Sequence, residues 1–200
     1  MPTTPIRLTL PAFALLAVLP VPGLQAQAPA PAQVETYRID PAHSNVGFRV
    51  RHLMSKVTGR FGQVDGTVRV DTRDITRSSV EVTLQVASIS TSNDQRDTHL
   101  KSPDFFDAAK YPTITFRSTS VKEVAKGKLE VTGTFTMKGV TRTLVLPITE
   151  LGTSVDPWKN VVAGFEGALA LDRQDYGVSY GSGLVGDQVD IELDIEAKKS

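Results

Sequence analysis

The sequence predicts an all-β fold of about eight antiparallel strands. After residue 33, apolar and polar residues alternate with a period of two in a series of separate segments. Short polar or glycine-containing turns join most of these segments, and one longer segment shows no alternation. Strands that succeed one another through short turns pair antiparallel, because a parallel pair needs a long crossover connection.

Residues 1–28 are expected to be a cleaved secretory signal peptide rather than part of the fold. Arg7 precedes an apolar run at residues 8–19, and Ala26-Gln27-Ala28 provides small residues for cleavage. The run is too short to cross about 30 Å of hydrocarbon, and Pro11 interrupts it, which argues against a membrane anchor. The signal predicts export to a bacterial periplasm or beyond it.

Residues 29–33 are predicted to be a stiff Pro/Ala spacer, and residues 34–200 a single β domain. The 22 basic and 22 acidic residues balance, so no broad positive field is available to gather nucleic acid. The lack of cysteine excludes disulfides, thiolate zinc sites, iron–sulfur clusters and cysteine nucleophiles. Nothing in the composition points to a cofactor.

The alternation is clearest in the last predicted strand, where Val189, Ile191 and Leu193 share one face and Asp190 and Glu192 the other. Such a strand buries one face and leaves the other in solvent. In chain order, the predicted strands span residues 46–52, 64–70, 80–86, 114–118, 129–137, 144–148, 163–171 and 189–197.

Two local patterns describe how these strands begin and bend. Lys138-Gly139 separates two alternating segments and predicts a tight hairpin turn. Residues 57–61 (VTGRF) resemble residues 131–135 (VTGTF), and in each the glycine would permit a bend while the phenylalanine points inward. Chance similarity between two Thr/Gly strands explains the likeness equally well.

Residues 91–111 break the strand rhythm and predict a helical insertion that crosses one end of the sheet structure. Thr91 or Ser92 would cap a short helix that ends at Leu100, and Pro103-Asp104 would start a second helical turn. Phe105 and Phe106 project about 100° apart on such a turn, so one would pack on the rim while the other faces the interior. The insertion is expected to be a lid, with a fixed plug as the alternative.

An apolar sheet face of this size is hidden either in a sandwich or in a closed barrel, and closure removes both edge strands. A barrel of eight strands is filled by side chains or holds one small ligand. Small inward residues at Gly133, Gly167 and Ala163 favour remaining space. An outer-membrane barrel would also alternate, but 6% aromatic residues cannot supply its aromatic girdles, so we expect a protein that does not span the membrane.

The inward phase of the strands defines the candidate ligand-binding residues. They are apolar, and they come from strands throughout the predicted sheet. They are Phe48, Val50, Val68, Leu84, Phe116, Phe135, Ala163, Phe165, Leu169, Ile191 and Leu193.

The polar candidates for a rim or lid are His52, Arg96, Asp97 and His99, beside the two phenylalanines of the insertion. The three histidines of the chain lie in separate segments with no metal-binding spacing, so no metal site is predicted. His52 falls on the apolar phase of its strand, either as a core histidine or at a cavity entrance. Arg96, Asp97 and His99 are expected to tie the insertion to the rim by hydrogen bonds, and no catalytic residue is assigned.

Five separated motifs follow one another along residues 34–197. They are YRIDPAHS at residues 37–44 with VGF at 46–48, RDTHLKSPDFFD at 96–107 with YPTITF at 111–116, GTFTMKGVT at 133–141, LDRQDYGV at 171–178, and VGD at 185–187. Together they resemble the YceI-like family. Two departures are small: Tyr37 stands where the family often has tryptophan, and Asp172 where asparagine is common.

The resemblance implies a lipocalin-like, eight-stranded antiparallel barrel with the short helical insertion at one mouth. It also implies a periplasmic protein that holds a polyisoprenoid or an isoprenoid-quinone-like lipid in the barrel, without metal, cofactor or chemical step. The leading hypothesis is therefore a lipid carrier and not an enzyme. The alternative is a lipid-acting enzyme that uses His52 as a cavity histidine, and the oligomeric state, including a dimer, stays open.

Overall fold

The computed structural model describes residues 33–200, so the predicted signal peptide and all but the last residue of the predicted spacer lie outside the described residues. Within this range the chain forms strands β1 to β11 and one α-helix, α1. The bounds are β1 Val34–Ile39, β2 Asn45–His52, β3 Ser55–Phe61, β4 Val64–Asp71, β5 Ser79–Gln85, β6 Ile89–Ser90, α1 Asp94–Lys101, β7 Thr113–Ala125, β8 Lys128–Met137, β9 Val140–Val155, β10 Val161–Asp172 and β11 Val185–Lys199.

The strands form one closed antiparallel sheet that confirms the predicted eight-stranded barrel. The order is β1-β4-β5-β7-β8-β9-β10-β11-β2-β3-β6, and the β1–β11 pairing closes the ring. The pairs β1/β2, β3/β4 and β5/β6 are successive halves of three long strands, because the halves of each pair meet the same neighbouring strands. Eight long strands therefore become eleven shorter ones.

The three breaks lie side by side, at residues 40–44, 62–63 and 86–88. Buried backbone groups that leave a ladder need other partners, and here the neighbouring breaks supply them. Gly62 N–H donates to Ser88 O at 3.1 Å, and Gln85 N–H donates to Gln63 O at 3.0 Å. The breaks thus form a seam across three adjacent strands, and the sheet stays hydrogen-bonded through it.

Asp40 organises the first break. Its backbone N–H donates to Glu196 O at 2.8 Å, which bridges the gap between the two stretches of β11 paired with β1 and β2. Its Oδ2 atom accepts from Lys198 Nζ at 2.7 Å and from His43 Nδ1 at 2.8 Å. The hydrogen bond from Lys198, followed by that from His43, lowers the pKa of the Asp40 carboxyl.

One end of the barrel is sealed by close packing. Tyr37, Ala163 and Ala197 are buried together there, on β1, β10 and β11. The Tyr37 hydroxyl donates to Glu35 Oε2 at 2.6 Å, and burial, with this hydrogen bond, raises the pKa of Tyr37 to about 12. The hydroxyl therefore remains a protonated donor throughout the physiological range.

Both local patterns in the sequence have structural counterparts. Lys138 and Gly139 have positive φ angles of 49° and 77° in the predicted turn between β8 and β9. Gly59 and Gly133 occupy places where an added Cβ would lie 2.3 Å from the ring of Phe48 and 2.5 Å from that of Phe116. The repeated glycine is needed for close approach of an aromatic ring from the adjacent strand.

The cluster around Asp40 predicts a pH-dependent contribution of His43 to stability. The hydrogen bond to Asp40 raises the pKa of His43 above its ordinary 6.5. A raised folded-state pKa adds stability below the unfolded-state value, and this is lost as pH rises through the folded-state value. We expect the substitution His43→Ala to lower the melting temperature more at about pH 5 than at about pH 9. An equal decrease at the two pH values would contradict this prediction.

Candidate functional site

The barrel interior contains two adjoining apolar chambers. The larger, of about 190 Å³, lies beneath α1 and the residues that follow it. The smaller, of about 110 Å³, lies toward the sealed end. The same five residues line both chambers, and this shared level of the barrel is here called the waist. These residues are Val82, Phe116, Leu146, Leu193 and Ile195.

The structure places ten of the eleven candidate ligand-binding residues on the chamber walls. Their contact with a ligand remains a prediction. Phe48, Val50, Leu84, Phe135, Leu169 and Ile191 line the larger chamber, Val68 and Phe165 line the smaller one, and Phe116 and Leu193 line both.

Ala163 is the exception, and its position corrects the sequence interpretation. It shares the inward phase with Phe165, but it lies at the sealed end, packed with Tyr37 and Ala197, where no chamber remains. The space expected beside Gly133 and Gly167 is also occupied, by the Phe116 ring and by Ile148. Residue phase predicts which side chains point inward, but not how far along the barrel the cavity extends.

The insertion is confirmed as a helical segment, with a cap different from the expected one. Asn93, not Thr91 or Ser92, caps α1 by accepting a hydrogen bond from Arg96 N–H at 2.9 Å. Thr91 is instead the anchor: Arg96 Nε–H donates to its hydroxyl at 2.7 Å, and its N–H donates to buried Asp97 at 2.8 Å. Arg96 and Asp97 thus fix the helix to the chain directly after β6.

Aromatic side chains hold the remainder of the insertion over the larger chamber. His99 Nε2 lies 2.8 Å from Asp104 Oδ2, and its ring makes edge-on contacts with Phe105 and Tyr180, each at 5.0 Å between ring centroids. Phe105 is buried, whereas Phe106 is half-buried and meets Phe61 edge-on at 6.0 Å. Both phenylalanines line the chamber. The expected arrangement, with one ring on the rim and the other facing the interior, is therefore only a difference in how deeply the two rings are buried.

His52 does not lie in the cavity. It ends β2 at the β2–β3 hairpin, is exposed, and lines neither chamber. Although it continues the phase of Phe48 and Val50, it is the last residue of β2 and its side chain is exposed to solvent. The interpretation of His52 as a cavity histidine is therefore wrong, and its place is on the outer edge of the mouth.

Arg173 is a wall residue that the sequence analysis did not single out. It is buried, and its guanidinium makes five hydrogen bonds that hold the loop after residue 177 to the first residues of β11 at the mouth. The only sequence feature that could have pointed to this residue is the LDRQDYGV motif, in which the arginine stands where the strand ends. The acceptors are Gly186 O, Val178 O, Tyr180 O, Val185 O and Asp187 Oδ1, at 2.6 to 3.2 Å.

Asp40, His43 and Glu196 bring three metal-ligating atoms within 4.8 Å of one another. The Lys198 ammonium, however, lies 2.7 Å from the Asp40 carboxylate and already supplies the compensating positive charge. The group also lies at the strand break, away from both chambers. We therefore assign it to the geometry of the break.

A closed antiparallel barrel with an apolar interior and a helical segment over one mouth defines the lipocalin-like class of barrels. Among residues 33–200, no helix is both long and apolar enough to cross a membrane. A family model for the YceI-like domain matches residues 37–197. The chain belongs to the YceI-like family.

Known relatives support this assignment over most of the chain. A UPF0312 protein of Vibrio cholerae is 37% identical over 194 residues, which cover 96% of this chain and 98% of the relative. The crystal structure of BcnA from Burkholderia cenocepacia aligns with a TM-score of 0.73 and 26% identity, over 79% of this chain and 98% of BcnA. A polyisoprenoid binding domain from Saccharophagus degradans shares the fold, with a TM-score of 0.63, 16% identity, and coverage of 82% and 98%.

The Arg173 network predicts a large effect of removing one buried cation. Arg173→Met leaves five acceptors without their donor, and we expect the free energy of unfolding to fall by about 3 kcal/mol. The matched control is Arg142→Met, because Arg142 is half-exposed and pairs with Asp175 at 3.1 Å, where a loss below about 1 kcal/mol is expected. Urea unfolding measures the free energy of unfolding of both variants. Equal losses would contradict the prediction that the buried hydrogen bonds of Arg173 contribute more to stability than an exposed ion pair.

Proposed function

We propose that this protein is a periplasmic carrier that holds one long apolar lipid, of the polyisoprenoid or isoprenoid-quinone-like class, inside the barrel. The observation that carries the proposal is the apolar lining of two adjoining chambers that share the five wall residues of the waist. An apolar and incompletely filled interior suits a hydrocarbon chain. Family membership and the barrel fold support the same proposal.

Apolar burial provides enough free energy for such binding. Covering about 500 Å² of ligand surface contributes on the order of 12 kcal/mol gross. Immobilising the ligand and ordering its bonds offset much of this, so micromolar to nanomolar affinity is reasonable. A polyprenyl chain suits the site because its repeated methyl branches fill uneven apolar walls.

The proposed compartment rests on the N-terminal sequence. Residues 1–28 have the charge, apolar run and small residues of a secretory signal. A polyisoprenoid is too apolar to diffuse freely through water, so a carrier has a role where lipid must cross an aqueous space between membranes. Fractionation of cells that express the full chain, with a periplasmic enzyme as marker, tests this location.

The polar groups of the described walls favour binding over catalysis. A guanidinium has five N–H donors, and those of Arg173 are all engaged with the protein. Glu150 is at the wall of the smaller chamber, beside Ser78 and Ser79, without a histidine or lysine in that lining. With His52 outside the cavity, the enzymatic alternative loses its proposed acid or base.

Blocking the waist tests the proposed site. Leu146 lines both chambers, whereas its neighbour Val145 points outward and is exposed. Leu146→Trp should reduce the amount of copurified lipid per protein at least tenfold, because the indole fills the shared space. Val145→Trp, the matched control, should leave it unchanged. Native mass spectrometry of freshly purified protein measures the amount, and full occupancy with Leu146→Trp would contradict the site.

The lid and plug alternatives differ in kinetics. Phe106→Ala removes a half-buried ring from the chamber roof, so a lid predicts release of bound lipid at least several-fold faster. We expect a stability loss of about 1–2 kcal/mol, below the roughly 3–5 kcal/mol typical of buried phenylalanine. Phe105→Ala, at the buried neighbour, should cost more stability. Transfer of a fluorescent polyprenyl analogue to acceptor vesicles gives the rate, and an unchanged rate would favour the plug.

A further inference from the structure

We propose that the open end of the barrel docks on the surface of an anionic phospholipid bilayer. The docking surface, here called the mouth patch, consists of the apolar tip of the β2–β3 hairpin, the adjoining loop at residues 180–184, and the basic side chains beside the tip. The proposal rests on the proposed function in that a docked mouth would let the lipid pass between bilayer and barrel.

The apolar part of the mouth patch is contiguous and exposed. Met54 is 94% exposed, Leu53 56%, Leu184 55% and Tyr180 49%. The hairpin and the loop touch, because Leu53 N–H donates to Leu184 O at 2.9 Å. Exposed apolar side chains that are grouped in this way mark an interaction surface, whereas isolated ones need no explanation.

The charges beside the tip are complementary to lipid phosphates. Arg51 and Lys56 pair across the β2–β3 ladder one step behind the tip, and both are exposed. Within residues 33–200, neither makes an ion pair with a carboxylate; Arg51 donates only to Met54 O, at 3.5 Å. Apolar side chains projecting beyond basic ones match a bilayer, where anionic headgroups lie above hydrocarbon.

The acidic side chains at this end are only partly neutralised. Asp175 is paired with Arg142 and Asp187 with Arg173. Asp94 and Asp172 make no ion pair within residues 33–200. The charged groups that adjoin the apolar tip directly are nevertheless the basic side chains Arg51 and Lys56.

The mouth patch adjoins the larger chamber directly. Val50 and Val185 line this chamber, and Val185 pairs with His52 at the base of the hairpin tip. Between Val185 and Val189 the register with β2 shifts, so residues 186–188 bulge out of the ladder. Docking would thus bring this irregular stretch of the chamber wall next to the bilayer surface.

The opposite end also exposes apolar residues, and it provides the control. Trp158 is 73% exposed and Val155 63% in the turn between β9 and β10. Behind them, however, Tyr37, Ala163 and Ala197 seal the barrel. These three side chains line neither chamber and pack between this end and the smaller one, so the geometry points to the mouth as the docking end.

The first test uses fluorescence, since Trp158 is the only tryptophan of the chain. The full chain carrying Met54→Trp and Trp158→Phe should show a blue-shifted emission on addition of phosphatidylglycerol/phosphatidylcholine vesicles, because the indole enters the apolar layer. Trp158 in the unchanged protein should show no shift. A shift of Trp158 without one at position 54 would overturn the proposal, as would no shift in either protein.

The second test separates apolar from electrostatic contributions by vesicle sedimentation. Arg51→Gln with Lys56→Gln should weaken partition to the anionic vesicles roughly thirtyfold, at about fivefold per charge. Lys126→Gln with Lys159→Gln, which removes the same charge at the opposite end, should have little effect. Residues 1–28 are common to all variants, so any contribution from them cancels. Equal losses in the two double variants would overturn the proposal.

Copurified lipid distinguishes a failure of docking from a failure of the proposed function. Leu53→Ser with Met54→Ser should lower vesicle partition at least tenfold while the lipid bound per protein, by native mass spectrometry, stays unchanged. Unchanged partition with normal lipid occupancy would overturn docking and leave the carrier proposal standing. If no form of the protein ever holds lipid but docking persists, the carrier proposal fails and the mouth patch remains a membrane-binding surface.

Discussion

The Asp40 carboxylate lies where the last strand, β11, changes its partner from β2 to β1. Along the long strand formed by β1 and β2, β11 makes seven residue pairs with β2 and three with β1, the latter beginning at Ile39 and Ala197. Between β1 and β2 the register of this strand with β11 shifts, while the backbone stays hydrogen-bonded to β11 through the break. The Asp40 N–H bond to Glu196 O and the Lys198 ion pair hold that shift in place. Pairing of β11 along both halves of its neighbour, which leaves no exposed strand edge there, depends on this junction.

The closed interior is incompletely filled, which has an energetic consequence. Apolar walls that lack neighbouring atoms forfeit dispersion contacts, so an empty cavity lowers the stability of the folded state. Close ring–glycine packing, as of Phe48 on Gly59 and Phe116 on Gly133, fills part of the volume without filling the waist. A ligand that completes the packing would raise the free energy of unfolding through linkage. Tight closure and residual space therefore act together to favour an occupied barrel.

The sequence predicted the strands and the inward phase because both follow from a period of two. Leu193 and Phe116 could be placed on the inner face from neighbouring residues alone. Position along the barrel axis could not, because it depends on register between distant segments: Ala163 meets Ala197 at the sealed end, and His52 is the exposed last residue of β2. Arg173 was missed for a related reason, since its acceptors lie in the loop before β11 and in the irregular first residues of β11, which no periodicity describes.

The two ends of the barrel differ in what holds them together, and this difference assigns their roles. At the sealed end, small residues and Tyr37 pack without space, and such packing opens only when the fold is lost. At the mouth, the roof is joined by aromatic edge contacts and by Lys138, whose ammonium donates to Pro103 O and Gly177 O at 3.2 and 3.0 Å. Few backbone ladders cross these partly exposed contacts, whereas the buried Phe105 and the Arg96–Thr91 hydrogen bond also hold the roof. The balance between these two sets of contacts is what separates a lid from a plug, because a lid requires the exposed contacts to open while the buried ones stay formed.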